Sequence, residues 1–137
     1  MVETKPPTTA ELIWSEELRF GATSDNNAIV VDGDGVAGPS PVQITAIGLA
    51  GCMAADVVAI LQKGRQPLQG LRVSFSGDRA ATPPRRFLSI KLHFHVTGPV
   101  EAAAVERAIA LSRQTYCSVW HSMRPDIDFI TAFDIHA

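Results

Sequence analysis

Residues 44–61 run for 18 positions with only Thr45 and Asp56 polar. No other feature restricts the fold as strongly. Ser40-Pro41 ahead of it reads as N-cap and first helical residue, because proline lacks an N–H that would have no intrahelical partner there. Gly64 supplies the stop. The stretch is therefore expected to be a helix over residues 41–63. Ile44, Ile47, Leu49, Met53, Val57, Val58, Ile60 and Leu61 point in every direction around its axis. A helix apolar on all sides must be covered on all sides. A chain of 137 residues is one domain's worth and has difficulty enclosing such a helix alone. A second subunit is the expected cover. Gly48 and Gly51 would let another backbone approach, though each costs about 1 kcal/mol of helix propensity. A membrane span is not expected, since a span wants about 20 strongly apolar residues and this stretch is rich in Gly and Ala and carries Asp56.

The remaining sequence alternates short elements. Residues 1–9, with two prolines and three threonines, read as a flexible leader, and residues 10–137 as a single domain. Residues 11–22 and 28–31 read as strands of a hairpin or meander. The run 32–41, DGDGVAGPSP, breaks regular structure. Period-two alternation marks strands over residues 71–79 and 88–97. In the second, Leu88, Ile90, Leu92, Phe94 and Val96 face inward, and Ser89, Lys91, His93, His95 and Thr97 outward. Residues 100–113 have helical spacing. Residues 115–123 either continue that helix or form a short third one, and residues 127–136 read as a last strand. The pattern predicts an α+β domain with a mostly antiparallel sheet covered by helices.

Twelve basic and 14 acidic residues give a net charge of −2. No basic field is available for a phosphate backbone, so nucleic acid is not an expected partner. The N-terminus lacks the basic-then-apolar order of a signal peptide, and two cysteines are too few for a disulfide framework. A cytoplasmic protein with reduced thiols is expected. Cys52, in mid-helix, has two readings. It is a small buried hydrophobe, or it is a reactive thiol needing a cation such as Arg19, Arg65, Arg85 or Arg86. Asp56, one turn on, would oppose its ionisation. Cys52 and Cys117 could act as attacking and resolving thiols, but spacing alone cannot bring them together. Cys117 and His121, four apart, are also compatible with a Cys-His hydrolase, against a plain surface histidine. His93 and His95 share a strand face without a third ligand at recognisable spacing, so no metal or cofactor is expected. Asp32-Gly-Asp34-Gly reads as a turn rather than a calcium loop.

The stretch GPSPVQITAIGLAGCMAADVVAILQKGR resembles the central cysteine helix of the OsmC/Ohr family, the osmotically inducible and organic-hydroperoxide-resistance proteins. LSRQTYCSVWHSM is similar to that family's second-cysteine segment, and LRVSFSGDRAATPPRRFLSIKLHFHVTG to its two-strand unit. The resemblance covers about residues 10–137. It implies an OsmC-like fold, with the sheet packed on the long cysteine helix in an intertwined homodimer. It also implies reduction of organic hydroperoxides, with Cys52 peroxidatic, Cys117 resolving and a dithiol, lipoylated protein in the best-known members, as reductant. Two positions depart from the family's peroxidase pattern. Val42, beside Gln43, stands where active members have a glutamate, ten positions before the first cysteine. No glycine-rich N-terminal turn carries the partner arginine, and Arg19 is the nearest candidate. The departures, with the Asp56-Val57-Val58 and Tyr116–Val119 runs, point toward an OsmC-like branch. The alternative function is then a dimer that binds a small apolar ligand and keeps its cysteines as packing residues.

Overall fold

The computed structural model describes residues 2–137, which form two compact units, one ending at Thr45 and one spanning Ala46–Ala137. In the first unit, β1 (Glu11–Glu16), β2 (Arg19–Ser24) and β3 (Asn27–Asp32) make an antiparallel meander in that order. The stretch 11–22 is thus two strands rather than one. The chain reverses at Glu17, whose φ of 49° lies in the left-handed region. Glutamate is not a residue that announces such a turn, as glycine or asparagine would. After β3 the buried Asp32 carboxylate organises the glycine-rich run. Its Oδ1 accepts from Asp34 N at 2.9 Å, and its Oδ2 from Ala37 N at 2.9 Å and Val36 N at 3.3 Å. These backbone donors, Ala37 foremost, hold its carboxyl below the usual aspartate range. Gly38 is required here, because a Cβ would sit 2.2 Å from the Val30 carbonyl oxygen.

Helix α1 (Pro41–Lys63) opens with a reciprocal cap. Ser40 Oγ accepts from Gln43 N at 3.2 Å, and Gln43 Oε1 accepts from Ser40 N at 2.9 Å. This is the capping box, with glutamine in the third helical position. By length and composition α1 could cross a membrane. In the second unit, however, Leu49, Met53, Val57 and Leu61, one turn apart, form a stripe buried in the core. The opposite stripe, Ile47, Gly51, Ala55 and Ala59, is exposed on the chain. Within the single chain the helix is buried on one side, which leaves the cover expected from a second subunit unaccounted for.

The rest of that unit is β4 (Gly70–Arg79), β5 (Phe87–Thr97), α2 (Ala102–Leu111), a π-helical turn (Ser112–Tyr116), α3 (Ser118–His121) and β6 (Asp128–His136). β5 is central, antiparallel to β4 and parallel to β6. Among the described residues three of the four strand pairings are antiparallel, as expected, but they fall in two sheets. The parallel pairing needs a long crossover, which α2, the π-turn and α3 provide. Ile90, Leu92, Phe94 and Val96 lie on the core face, packed with Val105, Ala108, Ile109, Ile127 and Phe129. Leu88, expected inward, is 44% exposed near the start of the strand. Truncating the buried Met53 to alanine should cost roughly 2–5 kcal/mol in urea unfolding; a loss within error would contradict this core.

Candidate functional site

Cys52 and Asp56 are one turn apart on α1 and project to the same side. Each reaches a different end of the π-turn. At its start, the buried Ser112 donates from Oγ to Asp56 Oδ2 at 2.8 Å. At its end, Cys117 N donates to the Ser112 carbonyl at 2.8 Å, an i to i+5 bond. That bond takes up one residue more than an α-turn. The chain then leaves helical geometry at Cys117 (φ −74°, ψ 99°), and the Cys117 side chain enters the core, where Cys52 packs as its neighbour. The structure therefore brings together two cysteines that lie 65 positions apart. Both are free thiols, Cys52 half-buried and Cys117 fully buried.

Cys117 also caps α3. Its Sγ accepts from Trp120 N at 3.3 Å. Trp120 packs against Phe129, with ring centroids 4.4 Å apart, and Arg113 lies over the Phe129 ring at 4.8 Å. Burial pushes the Cys117 thiol up to about 11. The Trp120 and Val119 N–H groups pull it down, and the neighbouring Cys52 raises it further. Cys117 is thus a protonated thiol at neutral pH.

Two of the four proposed cations, Arg19 and Arg86, are engaged elsewhere. Arg19 pairs with Glu16 at 3.3 Å and Asp32 at 3.6 Å within its own unit. Arg86 lies 3.8 Å from Asp126. The Arg85 carbonyl accepts from Arg79 Nε at 2.8 Å, and Arg65, with φ 59°, turns the chain after α1. Two other positive groups, Lys63 and Arg107, belong to a groove that neither cysteine lines. With Asp56, Ile60, Leu111 and Tyr116 they line its volume of about 700 Å³. No signal marked them, since both read as ordinary exposed helix positions. His121 does not join Cys117. Its Nε2 lies 3.0 Å from the Arg113 carbonyl, which leaves no imidazole base on the thiol. His93 and His95 lie on the face of β5 opposite the core.

A family profile for OsmC-like proteins matches residues 32–132. The Escherichia coli K12 protein YhfA is 38% identical over 131 residues, which is 93% of this chain and 98% of YhfA. A hypothetical protein from Aquifex aeolicus VF5 superposes with a TM-score of 0.89 at 25% identity, covering 96% of this chain and 97% of its own. An organic hydroperoxide resistance protein OsmC from Legionella pneumophila shares the fold at TM-score 0.71 and 18% identity, covering 96% and 99%.

A raised cysteine pKa favours the fold only while the thiol keeps its proton. The stabilisation is complete below about 9 and is lost as pH rises toward about 11. At pH 8, iodoacetamide should therefore label Cys52 well before Cys117 in the folded protein. Equal rates at the two sites would contradict the burial described here. Ser112→Ala, which strips Asp56 of its partner, should cost about 1–2 kcal/mol in urea unfolding.

Proposed function

Because the chain belongs to the OsmC-like family, we propose that it is a thiol-dependent reductant of organic hydroperoxides that works as a cytoplasmic homodimer. The observation that carries this reading is that Cys52 and Cys117, 65 positions apart, pack as neighbours in one core. Their unequal exposure supports the roles of attacking and resolving thiol. Cys52 is the thiol that solvent can reach, and Cys117 is held behind it. The Cys52 thiolate attacks the peroxide oxygen, the O–O bond breaks, and an alcohol leaves with a proton. Cys52 becomes a sulfenic acid. The Cys117 thiol then condenses with it, forming the disulfide and releasing water. A dithiol reductant restores both thiols and is itself oxidised to a disulfide. Two electrons pass from the dithiol to the peroxide in each cycle.

The homodimer reading rests on the uncovered side of α1. Gly48 and Gly51 lie inside a helix, where glycine is unfavourable, yet a Cβ on either would meet nothing within 4 Å. Their small size answers to no neighbour in the chain itself, and a second α1 seated closely on Ile47, Gly51, Ala55 and Ala59 would explain it. In the other unit, Leu12, Ile13 and Trp14 are also more than half exposed on β1. If the face were open, Gly51→Ala would stabilise the helix by about 1 kcal/mol. The homodimer reading predicts the opposite, a weaker dimer by sedimentation and a lower thermal midpoint.

Two observations favour the binding-only alternative: Arg19 is paired with Asp32 and Glu16, and Val42 stands where the family's active members carry glutamate. The deciding assay follows consumption of tert-butyl hydroperoxide with dihydrolipoic acid as reductant. Multiple turnovers are expected, with none in Cys52→Ser and a single turnover followed by arrest in Cys117→Ser. A wild-type protein that leaves the peroxide untouched would overturn the peroxidase and leave the ligand-binding dimer.

A further inference from the structure

Three of the chain's four histidines converge on one carboxylate from two strands distant in sequence. His93 and His95 are two apart on β5, and Asp134 and His136 two apart on β6. Period two sends all four to the face of the sheet that does not carry the core. Parallel pairing sets Asp134 directly beside His95 and His136 beside Thr97. His93 Nε2 lies 2.5 Å from Asp134 Oδ1, and His95 Nδ1 lies 2.9 Å from the same oxygen. His136 Nε2 contacts the other oxygen, Oδ2. The His93 and His95 rings stack with centroids 4.3 Å apart and planes at 25°.

We propose that His93, His95 and Asp134 form a binding site for a divalent transition-metal ion of the zinc, nickel or copper class. Their three donor atoms lie within 4.8 Å of one another. An ion at their centre would take imidazole nitrogen and carboxylate oxygen at about 2.0–2.2 Å. Two imidazoles and one carboxylate suit these metals, whereas magnesium and calcium want oxygen ligands. Only side chains need adjust, because the ligands stand on two hydrogen-bonded strands of one sheet.

The outer shell is present as well. Ser74 Oγ lies 3.2 Å from His95 Nε2, leaving Nδ1 to face the site. Arg72 Nη1 donates to Ser74 Oγ at 3.1 Å and fixes that hydroxyl. His136 engages Asp134 Oδ2, so that Oδ1 is the oxygen presented. Such partners orient ligands in metal sites generally. The ligand side chains are 25–35% exposed, which gives an ion access from solvent. With three protein ligands, the fourth position of a tetrahedral ion is left to water or a small anion.

The test is calorimetric titration of the full chain with Zn²⁺ alone, and with Co²⁺ as the spectroscopic probe. A Cys52→Ser/Cys117→Ser variant run in parallel removes binding to the thiols. One ion per chain is expected in both proteins, and the Co²⁺ complex should show d–d bands with no thiolate charge-transfer band. His95→Ala and Asp134→Asn should each weaken binding by more than the about 10–100-fold typical of losing an outer-shell partner, and Ser74→Ala should fall within that range. His121→Ala, remote from the cluster, should leave binding unchanged. Circular dichroism checks that each variant folds, and His93→Gln replaces any that does not. Zn²⁺ uptake that survives loss of the histidines, that vanishes in the cysteine double variant, or that is absent in the wild type would each overturn the site. None of these outcomes depends on peroxidase activity.

Discussion

The arrangement of the second unit depends on how α1 holds both ends of one π-turn. Asp56 takes the Ser112 hydroxyl at its start, and Cys52 packs beside Cys117 at its end. One helical turn on α1 thus matches one widened turn on the crossover. Had α2 simply continued, successive residues would have advanced by about 100° each and Cys117 would have faced another direction. The i to i+5 bond from Cys117 N to the Ser112 carbonyl inserts the extra residue. π-Turns of this kind occur often at functional sites. Here the physical reason is visible: the turn aims a side chain that a regular helix would have misdirected.

The same crossover makes β6 parallel to β5, and this gives the sheet two distinct faces. Inward, Phe129 packs under Trp120 and completes the core beside the cysteines. Outward, Asp134 is delivered to His93 and His95. The inner face is dry and raises the pKa of the thiol buried beneath it. The outer face is polar and partly open. Substitutions on the outer face should therefore be nearly independent of those at the thiols, since the two sets share no partner.

Much of this was legible in the sequence, for identifiable reasons. The start of α1 followed from Ser40-Pro41, and β4 and β5 from strict alternation, because local chemistry sets them; α1 ends beside Gly64 as expected, but the left-handed residue that turns the chain is Arg65. The two cysteine segments carried the family resemblance. What escaped depended on contacts distant in sequence. The turn at Glu17 uses a residue that does not advertise a left-handed backbone. The π-turn has no composition signature, so residues 100–113 read as ordinary helix and residues 115–123 as its continuation or a short third helix. Asp134 was not seen as a partner of His93 and His95, because parallel pairing, not spacing, sets them side by side. The expected burial of α1 on all sides holds for the Leu49, Met53, Val57 and Leu61 stripe alone in the single chain.

The central claim is that the two thiols held by this turn form a peroxide-driven pair. Its most direct test is the intact mass and free-thiol count of the reduced protein before and after one equivalent of cumene hydroperoxide, with peptide mapping of the product. The account predicts loss of two hydrogens, no titratable thiol, and a disulfide joining Cys52 to Cys117 within one chain. An unchanged mass with both thiols still titratable, or a bridge between different chains, would contradict it.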